Sequence, residues 1–214
     1  MRGVLLVLLV LAAACPAAAF AHSKEPTKRH TAADMRLARS IALTRADFAA
    51  GWTQEASSSS SGGDADCSAQ PDESKLIETG SVDPTFDSPN GGAATVDSEV
   101  DVYQTKAMAL ADWRTAQLRT LRSCLAELFA KTTATKVTVT AVTRPAPVHA
   151  ERALAFSFEL TAKGGTPYDI DLVAVGKGRT TVLLSAAGPK GSYARSLLTP
   201  LARLLAQRLA AHAS

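Results

Sequence analysis

Four histidines, three cysteines and a few short runs of carboxylates are the residues of this chain best suited to chemistry. His22 and His30 lie in a polar, basic stretch, and His212 is close to the last residue. Only His149 falls inside the expected domain, in a Pro-flanked loop beside Arg144 and Arg152, which reads as a solvated loop histidine. A zinc site needs a second His or suitably spaced Cys and carboxylates, and the sequence offers none. Ser57 to Ser61 form a linker, and no G-x-S-x-G elbow occurs. Gly176-Lys177-Gly178-Arg179-Thr180-Thr181 has the composition of a phosphate loop without its spacing, and it opens a strand, so it reads as a hairpin turn. Asp64, Asp66, Asp83 and Asp87 depart from the EF-hand pattern for calcium and read as solvated loop residues. Asp169 and Asp171 are two apart on one strand, so both project from one face. Paired carboxylates can do acid/base work, although a wet sheet face explains them more simply.

The cysteines bear on compartment. Arg2 precedes an apolar run from Val4 to Ala14, shorter than the ~20 residues of a membrane-spanning helix. Ala19-Phe20-Ala21 follows, so residues 1–21 read as a signal peptide cleaved between Ala21 and His22. Leu11 to Cys15 offers an alternative, a lipobox in which Cys15 is lipidated. Either way Cys67 and Cys124 remain, and two thiols in an oxidising compartment pair. Closing so long a loop stabilises by about 4 kcal/mol on the chain-entropy model. No other apolar run is long enough to span, so the mature chain is expected to lack a transmembrane segment.

Roughly 190 residues remain after processing, enough for one domain with a real core. Aromatic content of 5% and charge of 20%, with no concentrated basic patch, exclude a nucleic-acid platform. Between Asp47 and Asp101 the acidic residues face Lys75 alone, whereas the later chain is mostly Arg and Lys. The two halves should attract each other.

The elements that must position these residues follow from periodicity. Residues 22–31 read as a flexible tether and 32–214 as one α+β domain, with a Ser/Gly-rich loop at 57–70. A helix is expected over Ala32–Leu43, a strand from Lys75 fading near Phe86, and a return strand near Val96–Tyr103. On that strand Val96, Ser98, Val100 and Val102 oppose Asp97, Glu99, Asp101 and Tyr103, predicting one wet, acidic face. One long helix is expected over Lys106–Ala130 and another over Ser192–Ala211, with Pro200 as a blemish. Between them, four alternating strands joined by short turns predict an antiparallel meander. The expected architecture is one twisted antiparallel sheet of about six strands covered by two long helices, a sandwich of α/β/α type. The Leu-rich last helix is expected to pack on that sheet and not on a membrane.

Ala46-Asp47-Phe48-Ala49-Ala50-Gly51-Trp52-Thr53 resembles an "A-D-L-P-x-G-W-T" segment of a group of secreted actinobacterial proteins. Ser98 to Thr105 is similar to their "S-x-x-E-V-Y-x-T" strand, Cys124-Leu125 to their "C-L" pair, and Gly178-Arg179 to the opening of their last strand. The group looks like distant kin of mycobacterial kinase extracellular sensor domains. It is also similar to envelope lipoproteins with the fold of the photosystem II extrinsic protein P. Ala49 replaces the group's Pro, and the kinase kin carry two disulfides where this chain can form one. The resemblance implies no catalytic residue and no cofactor.

These features predict an exported, non-catalytic binding or sensing module of the bacterial cell envelope or exterior. Its partner would be a small molecule, an envelope glycan, a lipid or a protein, with Trp52, Tyr103 and Tyr168 as candidate aromatic contacts. An envelope hydrolase with a carboxylate site and a structural assembly partner are the alternatives.

Overall fold

The structure is a computed structural model that describes residues 25–55, 72–89, 93–115, 118–133, 137–193 and 195–212. Its class is α+β, but the sheet and its cover differ from expectation. Nine strands form one mixed sheet, and four α-helices are present among the described residues. The strands are β1 (Thr27–Lys28), β2 (Thr53–Gln54), β3 (Ile77–Val82), β4 (Thr85–Asp87), β5 (Thr95–Tyr103), β6 (Val137–Arg144), β7 (Arg152–Ala162), β8 (Tyr168–Lys177) and β9 (Thr180–Pro189). The helices are α1 (Ala32–Ile41), α2 (Lys106–Thr115), α3 (Leu118–Thr133) and α4 (Leu198–His212).

The main path across the sheet runs β1-β3-β5-β9-β8-β7-β6. The meander β6-β7-β8-β9 is antiparallel, as its short turns require. The sheet as a whole is mixed, because β1 pairs parallel with β3 where the sequence predicts a tether. Pro84 separates β3 from β4, and both pair antiparallel with β5, so one expected strand becomes two. β2 pairs with β4.

Helices lie on both faces. The first face carries Val96, Val100, Val182, Leu184, Val173 and Val175, packed under α1 and α4. Such side chains stabilise by roughly 1.5–3 kcal/mol each when buried. The second face carries Phe156, Phe158, Leu160, Ile170 and Leu172 under α3. The helix expected over Lys106–Ala130 is two helices because its ends serve different strands. α2 packs on β5 and β9, and α3 packs on β6 and β7.

Two local features fix the first face. Gly80 lets the start of α1 lie directly on β3, since a Cβ there would sit 2.5 Å from the Asp34 carbonyl carbon. Thr31 caps that helix by accepting from the Asp34 amide at 3.1 Å. Pro200 occupies the third position of α4, where a backbone N–H has no partner within the helix, so it neither kinks nor stops it.

Candidate functional site

Charged side chains on the first face are paired. Arg179 grips Asp34, with Nη1 to Oδ2 at 2.9 Å, and also donates to the Tyr103 carbonyl at 3.1 Å. Arg208 makes a bidentate contact with Asp47 at 3.0 and 2.7 Å, joining α4 to the turn after α1. That contact realises the expected attraction between the acidic and basic halves. These arginines hold both carboxyls below the usual carboxylate range, against a burial effect that is the largest influence on Asp47 and opposes them.

Asp169 and Asp171 belong to this paired group. Both project to the first face as expected, but they are buried and do not face open water. Asp171 accepts from Ser157 Oγ, from Tyr193 OH at 2.9 Å and from Arg195 Nε at 2.9 Å. Arg195 also lies 3.6 Å from Asp169. A pair with a guanidinium across it has no room for a water or substrate between the carboxyls, so it does not build a hydrolase site.

The second face of β5 is different. Asp97, Glu99 and Asp101 alternate along it, and the predicted wet face is in fact largely covered. Asp97 is 5% exposed, Tyr103 is 2% exposed, and Glu99 and Asp101 are half-buried. Asp97 accepts from Ser185 Oγ at 3.0 Å. Asp97, Glu99 and Asp101 form no ion pair among the described residues, and the Lys28 ammonium is an electrostatic neighbour of Asp101. Burial pushes the Asp97 carboxyl up to about 6, and Asp83 and Glu55 add to the effect. The Asp101 charge, then burial, pushes Glu99 well up. Burial, then Glu78 and Asp112, does the same to Asp101.

Strand register extends this wall across the sheet. Asp101 pairs with Thr181, Thr181 with Gly176, and Gly176 with Arg152. Neighbouring strands lie ~4.8 Å apart, so these four form one row on the second face. Arg152 is 9% exposed and lies across Gly176, where a Cβ would meet its Nε at 2.6 Å. Its Nη2 donates to the carbonyls of Gly178 and Thr180 at 3.2 and 3.3 Å. Trp113 of α2 covers it, with the ring centroid 5.7 Å from the guanidinium carbon.

Three buried polar atoms in this row have no hydrogen-bond partner: Asp101 Oδ1, Thr181 Oγ1 and Arg152 Nε. Leaving a buried polar group unsatisfied costs roughly 1–3 kcal/mol. Three of the nine such atoms among the described residues share this row.

The aromatic residues singled out from sequence do not converge. Trp52 stacks on Phe48 at 5.0 Å beside the first-face core. Tyr103 packs with Leu76 and Ala109, and Tyr168 lies 5.8 Å from Phe129. His149 is exposed. The Gly176–Thr181 stretch is the β8–β9 turn, with Gly178 at φ +56°. Among the described residues no group of three His, Cys, Asp or Glu is placed to hold a metal ion. Asp64, Asp66, Cys67 and the processing residues Cys15, Ala21 and His22 lie outside the described residues. Cys124 is 5% exposed in α3 and is disulfide-bonded. The row was not anticipated. Arg152 reads in the sequence as a loop neighbour of His149, and only register shows that it meets Gly176.

Fold and site together define a three-layer α+β domain with a largely covered acidic wall on β5 that forms no ion pair among the described residues. No protein-family model and no curated protein matches the chain. Among solved structures it is similar to the extracellular domain of PknH from Mycobacterium tuberculosis, at a TM-score of 0.43 and 12% identity. The match covers 63% of this chain and 66% of that one. This is a loose likeness to a kinase extracellular domain and assigns no ligand or activity. No helix among the described residues is long and apolar enough to cross a membrane.

Proposed function

We propose that this chain is an exported, non-catalytic binding module of the cell envelope or exterior whose ligand presents a cationic group to the acidic wall of β5. The observation that carries the reading is the line Asp97, Glu99 and Asp101, which forms no ion pair among the described residues and faces the unpartnered Thr181 hydroxyl. Carboxylates held this way keep their charge cheaply only when a cation joins them. Export rests on cleavage before His22 or on lipidation of Cys15, and Cys67 is the proposed disulfide partner of Cys124.

Titration calorimetry with ethanolamine, putrescine and glucosamine at pH 8 and low salt tests the reading. At least one amine should bind, with affinity falling as salt rises. The triple variant Asp97→Asn, Glu99→Gln, Asp101→Asn should lose that binding while keeping its fold. No binding by any of the amines, or binding that survives the triple substitution, overturns the proposal.

A further inference from the structure

The acidic wall is one pole of a longer row. We infer that the ligand of this site is a short zwitterion, its ammonium on Asp101 and Glu99 and its carboxylate on Arg152, with the Thr181 hydroxyl between them. The inference rests on the reading of β5 as a cation-binding wall and adds the other end of the molecule.

Arg152 has the features of a preformed anion receptor. Its guanidinium is fixed between the Gly176 backbone and the Trp113 ring, and two backbone carbonyls hold Nη2. Its Nη1 contacts Glu151 at 3.3 Å, and Lys106 also binds that carboxylate, at 2.7 Å. Glu151 is therefore shared between two cations and leaves Arg152 only partly neutralised. The one guanidinium nitrogen without a partner is Nε, in a side chain 7% exposed. A planar guanidinium with a free, desolvated N–H suits a carboxylate oxygen.

The spacing sets the size of the ligand. Asp101 and Arg152 stand on strands three steps apart, about 14 Å at ~4.8 Å per step. Arg152 spans part of that distance, since its Nη2 reaches the Thr180 carbonyl on β9. The free Nε itself lies over Gly176 on β8, two strand spacings, on the order of 10 Å, from β5 and Asp101. An amino acid of the length of 4-aminobutyrate or 6-aminohexanoate, with the side chains of Asp101 and Glu99 reaching toward it, bridges such a gap. A bare amine or a bare acid occupies one end only.

Calorimetry on the mature chain would compare glycine, β-alanine, 4-aminobutyrate and 6-aminohexanoate with butylamine and butyrate. One of the zwitterions should bind at least tenfold more tightly than either control. Arg152→Met should remove that advantage and leave butylamine binding unchanged, while Asp101→Asn weakens both. Arg152 is buried, so Thr181→Val serves as a milder second variant, expected to cost the zwitterion several-fold and butylamine little. If butylamine binds as tightly as every zwitterion and Arg152→Met changes nothing, the zwitterion inference falls while the cationic site stands. If butyrate alone binds, or nothing in the panel does, the inference falls together with the cationic site.

Discussion

Asp171 and Asp97 are buried to almost the same extent, 4% and 5% exposed, on opposite faces of one sheet, yet their surroundings have opposite electrostatic character. Asp171 accepts from a serine, a tyrosine and an arginine, and Arg195 also lies over its neighbour Asp169. Asp97 accepts from a neutral hydroxyl and stands in line with two further carboxylates. The difference lies in which segments cover each face. The turn after β9 carries Lys190 and Arg195 over the first face. Beside β5 the neighbouring chain from Asp47 to Asp101 holds Lys75 as its one cation, and the cations of β1 and α2 make no ion pair with Asp97, Glu99 or Asp101 among the described residues. Asp34 and Asp47 on the first face therefore serve the fold, while burial raises Asp169 on that face as well as Asp97 on the second. On the second face that cost comes with no ion pair among the described residues, which is a mark of a binding site.

The largest effect should come from breaking the neutralised side. Arg195→Met leaves Asp171 buried with two hydroxyl donors and no cation. Removing one partner of a buried pair costs about 3–5 kcal/mol, and the half-exposed Arg195 points to the lower end of that range. Urea unfolding at pH 7 measures it. A loss under ~0.5 kcal/mol, the level of a surface pair, would erase the distinction between the two faces.

Removing charge on the second face should have the opposite sign. Asp97 titrates near 6 in the folded chain against 3.8 for an ordinary aspartate, so between those values the native state binds the extra proton. Its contribution to stability therefore falls as pH rises from about 4 to about 6, and the full penalty applies above that. Two units correspond to at most about 3 kcal/mol. Asp97→Asn should stabilise the protein by up to that amount at pH 7.5 and by nearly nothing at pH 4. Asp34 and Asp47 behave in the reverse way. Their carboxyls are held low, so their stabilisation is present above about 4 and is lost as pH falls through the lowered values. Thermal melts of the wild-type chain should thus peak in mild acid. A melting temperature that rises steadily from pH 5 to pH 8 would contradict the unneutralised wall.

Much of the fold was legible because alternation is a local signal. β7, β8 and β9 alternate cleanly, and the phase read for β5 holds for every residue from Val96 to Tyr103. Alternation assigns residues to two faces, but it cannot say what covers either one. The acidic face of β5 therefore read as wet, when α2 packs against it. β1, read as part of a tether, is two residues long, too short for any period to show. The helical stripe through 106–130 hid a change of target from β5 and β9 to β6 and β7. The row from Asp101 to Arg152 joins residues 51 apart in the chain through three registers, and no spacing rule reports that. Gly176 held the one available hint, a strand-end glycine that a turn centred on Gly178 does not need.

The smallest effect separates the rim of the first face from its interior. Lys190 Nζ approaches Glu159 at a short distance, and the contact holds Lys190 above the usual lysine range. Both side chains are well exposed, at 55% and 37%. Water screens such a pair and its long side chains lose freedom in making it, so exposed pairs are worth about 0–1 kcal/mol. Asp171 differs in being desolvated, which is why its guanidinium matters and the Lys190 ammonium does not. Lys190→Ala should then leave the urea midpoint nearly unchanged, with still less effect at high salt. A loss as large as that of Arg195→Met would mean that net charge over the first face sets stability there, and burial of the individual carboxylate does not.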